Sequence, residues 1–110
     1  MQTVREFMPA DRYVYDFGPC SYANGFAQID TKQDASYFGT WCSPSKRAIV
    51  SYCEGDVTTQ IAETDKEFAD IVRELADWTN NAGHGPMKID AINTPIGDAL
   101  AAMGLADLLH

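Results

Sequence analysis

Histidine, cysteine and long apolar runs are all scarce in this chain of 110 residues, which has two histidines and three cysteines. A membrane-spanning helix needs about 18 or more consecutive apolar residues, and the sequence contains no such run. Arg5, Glu6 and Pro9 interrupt the first ten residues, where a signal peptide would have an unbroken apolar segment. The sequence therefore predicts a cytoplasmic protein that does not bind membranes.

The three cysteines are odd in number and form no Cys-x-x-Cys pair, which argues against a disulfide framework and a zinc site. Cys42 and Cys53 fall in predicted strands, where a small buried thiol is the expected role. Cys20 follows Gly18-Pro19 and could be a nucleophile exposed on a turn. Because an acidic protein tends to raise a thiol pKa, we expect a reduced, unreactive thiol there too.

No group of residues with catalytic, cofactor-binding or metal-binding spacing stands out. His84 lies between two glycines in a predicted loop, and His110 is the last residue, where fraying is expected. The EF-hand spacing and the glycine-rich phosphate-binding signatures are missing. We therefore expect a non-enzymatic protein with no catalytic residue, no cofactor and no metal.

Acidic side chains outnumber basic ones by sixteen to eight, which gives a formal net charge of -8. This charge repels phosphate backbones and anionic membrane surfaces, so direct binding to nucleic acid is disfavoured. Apolar residues make up 45% of the chain, an ordinary value for a globular protein, and the length suits one domain over residues 1–110.

The first sixty residues read as strands, because aromatic and β-branched residues alternate with polar ones between turn signals. Asn24-Gly25 predicts a turn, and the pair is a strong hairpin signal. The run 48–53 is the most continuously apolar and is expected at the centre of the sheet. The predicted strands are Arg12–Phe17, Phe26–Asp30, Ala35–Cys42, Ala48–Cys53 and Val57–Ile61.

From Thr64 the apolar period changes to that of a helix, with Thr64 and Glu67 in capping-box spacing. The helix should end near Asn80, and its buried stripe is expected to comprise Phe68, Ile71, Val72, Leu75 and Trp78. Residues 87–92 fit either an edge strand or an extended connection. Thr94-Pro95 should begin a last helix that Gly104 ends. The predicted fold is α+β: a mostly antiparallel meander of four to five strands, one packed helix and a C-terminal helix.

Most of the negative charge falls between Glu54 and Asp77, where eight acids and two bases give a local net charge of -6. Asp70, Glu74 and Asp77 should share one outward edge of the helix, with Arg73 relieving part of their repulsion. One interpretation is a solvated face that keeps the protein soluble. The other is a docking surface for a basic partner. The candidate protein-binding residues are Glu63, Glu67, Asp70, Glu74 and Asp77.

Several short motifs between Tyr15 and Val57 resemble small accessory proteins of bacterial plasmids and phages. They are Tyr15-Asp16-Phe17-Gly18, the run from Gly25 to Thr31, the run from Gln33 to Tyr37, Gly39-Thr40-Trp41 and Glu54-Gly55-Asp56-Val57. The resemblance implies a mobile genetic element, a setting that includes acidic inhibitors of host defence of the anti-CRISPR and antirestriction types. We therefore expect an inhibitor that meets the basic surface of a nucleic-acid-binding protein. The alternative is a structural or oligomerising subunit, such as a homodimer, whose acids serve solubility alone.

Overall fold

The computed structural model describes residues 20–30, 38–53, 56–83 and 85–110. The predicted strand at 12–17 and His84 lie outside these described residues. The same holds for the first three residues of the predicted strand at 35–42.

Five strands form a single antiparallel sheet in the described part of the chain. Strands β1 to β4 follow one another as a meander, and β5 lies beside β1, so that the order is β4-β3-β2-β1-β5. Their bounds are Ala27–Asp30 (β1), Phe38–Ser43 (β2), Ala48–Cys53 (β3), Asp56–Ile61 (β4) and Lys88–Ile89 (β5). The predicted antiparallel α+β class is confirmed. Residues 88–89 form an edge strand, and β3 is an interior strand although β2 is the middle one.

The predicted turn at Asn24-Gly25 is present, and it follows a short helical turn. Tyr22–Asn24 form a short 3-10 helix whose Ser21 hydroxyl accepts a hydrogen bond from the Asn24 backbone N–H, and Gly25 follows at φ 85°. Glycine adopts this left-handed conformation without a steric penalty. The prediction of a turn is therefore confirmed, and Ser21 caps the helical turn before it.

Helix α1 spans Asp65–Asn81 and begins as its sequence predicts. The Thr64 hydroxyl accepts a hydrogen bond from the Glu67 backbone N–H at 3.1 Å. The Glu67 carboxylate accepts from the backbone N–H of Glu63, also at 3.1 Å, rather than from Thr64 as in the usual capping box. Both bonds satisfy donors at the start of the chain's longest described helix.

The buried side of α1 differs from the predicted stripe at one important position. Phe68, Val72, Ala76 and Thr79 are buried, whereas Trp78 is 61% exposed. With 3.6 residues per turn, Trp78 lies about 80° around the helix from Phe68, at the margin of the stripe. Thr79 can be buried in its place because its hydroxyl donates to the Leu75 carbonyl at 2.8 Å. The assignment of Trp78 to the core was wrong.

Helix α2 spans Pro95–Ala102, and the Thr94 hydroxyl accepts a hydrogen bond from the Gly97 N–H at 3.0 Å. Gly104 follows at φ 86°, and a 3-10 helix comprises Ala106–Leu108. The His110 N–H donates to the Ile89 carbonyl at 3.0 Å, so the expected fraying of His110 is not observed. The two helices and the sheet share one core. The residues of this core include Ala27, Ile29, Cys42, Ile49, Phe68, Val72, Ile89, Leu100, Leu105 and Leu108. None of the helices within the described ranges has the length and apolar character that crossing a membrane requires.

Candidate protein-binding surface

The five predicted carboxylates, here called the acidic edge, are all exposed: Glu63, Glu67, Asp70, Glu74 and Asp77. Asp70, Glu74 and Asp77 project from the side of α1 opposite the buried Phe68 and Val72, as the helical period requires. Glu63 stands just before the helix, and Glu67 lies in its first turn. The structure therefore places Asp70, Glu74 and Asp77 on one solvent-facing side of α1, with Glu63 and Glu67 exposed near its start.

Among the residues that the structure describes, one ion pair reaches the acidic edge. Lys66 Nζ donates to Asp70 Oδ2 at 2.7 Å, and this hydrogen bond raises the pKa of Lys66. No other cation in the described ranges lies within ion-pairing distance of Glu74 or Asp77. The second half of the edge thus presents its carboxylates to solvent.

Arg73 was expected to relieve part of the repulsion between Asp70 and Asp77, but its ion pair is with a more distant acid. Its guanidinium instead holds Asp107 through two hydrogen bonds of 2.6 and 2.9 Å, and it donates to the Gly104 carbonyl at 3.0 Å. This two-pronged geometry is the one that guanidinium and carboxylate groups favour. Arg73 therefore joins α1 to the segment after α2. The hydrogen bonding to Asp107 raises the pKa of Arg73, and the nearby charge of Asp77 has a smaller effect in the same direction.

The other basic side chains in the described part of the chain are also engaged away from the acidic edge. Arg47 Nε donates to Asp65 Oδ1 at 2.8 Å. Lys46 donates to the carbonyl of Asn24 at 2.6 Å, and Lys88 donates to that of Asp107 at 3.1 Å. These three cations of the described ranges therefore make their contacts away from the acidic edge.

The Arg73–Asp107 pair should make stability depend on pH at the acid end. The hydrogen bond from Arg73 lowers the pKa of Asp107 from its ordinary value of 3.8 to about 2. A carboxylate whose pKa is lower in the folded state stabilises the fold above pH 3.8, and this stabilisation is lost as the pH falls towards 2. Urea unfolding measures the difference in the free energy of unfolding between the wild type and Asp107→Asn. We expect this difference to be constant above pH 3.8 and to become smaller below pH 3.8.

Arg73→Gln supplies the control for this pH dependence. Without the guanidinium, adding Asp107→Asn to Arg73→Gln should change the free energy of unfolding by an amount that no longer decreases at acid pH. A difference between the wild type and Asp107→Asn that stays constant between pH 3.8 and pH 2 would show that the pair does not stabilise the charged form of Asp107.

Among the aromatic side chains that the structure describes, Trp78 is the large exposed one. It follows Glu74 by four residues, so the two side chains are neighbours on the outward side of α1. Trp41 is buried, and Tyr22 is held by an edge-to-face contact with it, with ring centroids 6.2 Å apart. The Tyr22 hydroxyl donates to the Asp90 carbonyl at 2.6 Å, and burial raises its pKa. In the sequence, the exposure of Trp78 was indicated only by its spacing of ten residues from Phe68.

Cys20 and Cys42 are both buried. Cys20 is 1% exposed, which conflicts with a nucleophile displayed on a turn. Cys42 is fully buried in β2, and burial raises its thiol pKa to about 12. Within the residues that the structure describes, no three or more His, Cys, Asp or Glu side chains cluster in a way that could hold a metal ion.

Comparison of the chain with protein families, with curated proteins and with solved structures found no match in any of the three. The resemblance to plasmid and phage accessory proteins therefore stays a prediction. The case for a function rests on the acidic edge and on Trp78.

Proposed function

We propose that this protein is a non-enzymatic binding module whose acidic edge docks on the basic surface of a nucleic-acid-handling protein in the cytoplasm. By occupying that surface it inhibits the partner, in the manner of an anti-CRISPR or antirestriction protein. The observation that carries the proposal is the exposure of Glu74 and Asp77, with no cation of the described ranges within ion-pairing distance, beside the exposed Trp78.

The charge of the protein suits a partner that normally binds phosphate. A surface lined with lysine and arginine attracts nucleic acid through its charge, and a protein of net charge -8 is attracted by the same field. Such attraction speeds association and orients the partners more than it adds affinity. Inhibition should therefore weaken as salt rises.

Affinity needs an anchor in addition to charge, and Trp78 is suited to supply it. Tryptophan is enriched among the residues that dominate binding energy, where it fills a pocket on the partner. A side chain that is 61% exposed at the end of a charged helix has surface left to bury. The acidic edge and Trp78 together have the composition of an interface: a charged rim beside an aromatic centre.

The test is inhibition of DNA cleavage by a panel of purified CRISPR effector nucleases and restriction endonucleases. We expect the wild type to inhibit at least one of them. Asp77→Lys should raise the half-inhibitory concentration at least about tenfold, because it reverses a charge at the contact. Asp98→Lys is the matched control, since Asp98 is an exposed aspartate of α2 outside the acidic edge.

The control should change the half-inhibitory concentration less than about twofold, although it changes net charge by the same amount. Circular dichroism checks that both variants remain folded. Equal losses from Asp77→Lys and Asp98→Lys would indicate a non-specific charge effect, and no inhibition across the panel would count against this class of partner.

The alternative function is that of an oligomerising subunit, and one observation favours it. Ile61 is 57% exposed on β4, which is the last strand of the described sheet on that side. Exposed edge strands can pair with a second copy of the same chain. A homodimer whose sedimentation is indifferent to salt would support this alternative over the acidic docking surface.

A further inference from the structure

A cleft of about 300 Å³ lies between helix α1 and the β3–β4 end of the sheet. Its floor is formed by Ile49 and Ser51 of β3 and by Thr58 and Gln60 of β4. Ile49 is directly opposite Gln60, and Ser51 is opposite Thr58, so all four side chains share one face of the sheet. Ile49 is buried, while Ser51, Thr58 and Gln60 each carry a side-chain oxygen atom, that of Ser51 sharing a 3.3 Å hydrogen bond with the Thr40 hydroxyl.

The opposite wall comes from Ile71, Glu74 and Leu75 of α1. Residues at these spacings lie on one side of a helix, which is why a single turn supplies the whole wall. Ile71 and Leu75 are half-buried, and Glu74 is exposed. The cleft therefore has apolar sides, neutral oxygen acceptors on its floor and one carboxylate of the acidic edge.

This combination matches the chemistry of an arginine side chain. Its three methylene groups can lie against apolar walls while its head stays polar. The guanidinium carries five N–H donors in a plane and no acceptor, so it can donate to a carboxylate and to hydroxyl or amide oxygens at once. A volume near the lower limit of the roughly 300–1,000 Å³ typical of ligand pockets suits one side chain rather than a large ligand.

We propose that this cleft receives an arginine side chain of the partner, with the guanidinium on Glu74 and its stem between Ile71, Leu75 and Ile49. The inference rests on the proposed function, since it gives the basic partner a specific point of attachment. It also separates Glu74, which lines the cleft, from Asp77, which belongs to the same acidic edge but lies outside the cleft.

The experiment is a titration followed by amide chemical shifts in nuclear magnetic resonance. The probe is an acetylated and amidated tripeptide with arginine between two glycines. Its control is the same tripeptide with citrulline, which has nearly the same shape but no charge. We expect the arginine probe to shift the amides of Ser51, Thr58, Gln60 and Glu74, and the citrulline probe to leave them unchanged.

Glu74→Gln and Asp77→Asn are the matched variants, because each removes one negative charge from an exposed position of the same helix. Glu74→Gln should weaken binding of the arginine probe at least about tenfold, the effect of losing a hydrogen bond to a charged group. Asp77→Asn should weaken it less than about twofold.

Equal effects of the two variants would overturn the proposal, as would shifts that spread over the acidic edge and avoid the cleft. Failure of the proposed function gives a different pattern, because the probe would still bind the cleft while no nuclease is inhibited. Conversely, inhibition that Asp77→Lys abolishes and Glu74→Gln leaves intact would retain the function and exclude the arginine site.

Discussion

Phe68→Ala is expected to destabilise the fold by about 3–5 kcal/mol, the usual result of removing a large buried aromatic side chain. Phe68 is 0% exposed and packs in the core shared by α1 and the sheet. Its removal leaves a cavity that the neighbouring strands can fill only in part. Urea unfolding followed by far-ultraviolet circular dichroism measures the loss.

Trp78→Ala in the same helix provides the comparison. Both residues are aromatic, and the apolar period assigns both to one stripe, but Trp78 is 61% exposed. We expect Trp78→Ala to cost less than about 1 kcal/mol. The same variant should weaken inhibition of a partner nuclease, so it separates a binding role from a structural one. Equal destabilisation by the two substitutions would mean that Trp78 is part of the core.

The elements whose boundaries are set by local contacts could be predicted from the sequence. Thr64 and Thr94 each accept a hydrogen bond from the residue three positions later, and both helices begin where these threonines predict. Gly104 ends the last helix at positive φ because glycine favours that conformation. The exposure of the acidic edge is predictable for a similar reason, since it follows from helical period alone.

Features that depend on contacts distant in sequence could not be predicted in the same way. Arg73 pairs with Asp107, thirty-four residues further along the chain, in preference to acids within one turn. The pairing of Lys88–Ile89 with β1 likewise joins segments far apart in sequence. The cleft beside Glu74 combines three elements, and no spacing within any one of them indicates it. The helical periodicity of the sequence thus identified the charged side of α1 but not the cleft next to it.

Gly97→Ala is expected to destabilise the protein, although the same change in most helices is stabilising. Alanine in a helix interior is favoured over glycine by roughly 0.5–1 kcal/mol. At Gly97, however, an added Cβ would lie directly against the carbonyl oxygen of Ala91 and 2.9 Å from its carbonyl carbon. These are backbone atoms, so relief requires α2 to shift away from the segment that leads into it.

The cost of that shift should exceed the gain in helix propensity, giving a net loss of about 1–3 kcal/mol by urea unfolding. Ala101→Gly is the reciprocal control, because Ala101 is exposed in the same helix and reports propensity alone, with an expected loss of about 1 kcal/mol. If helix propensity governed both sites, Gly97→Ala would stabilise the protein and Ala101→Gly would destabilise it. Because close packing governs Gly97, both should destabilise, and a Gly97→Ala variant more stable than the wild type would show that α2 does not approach Ala91 so closely.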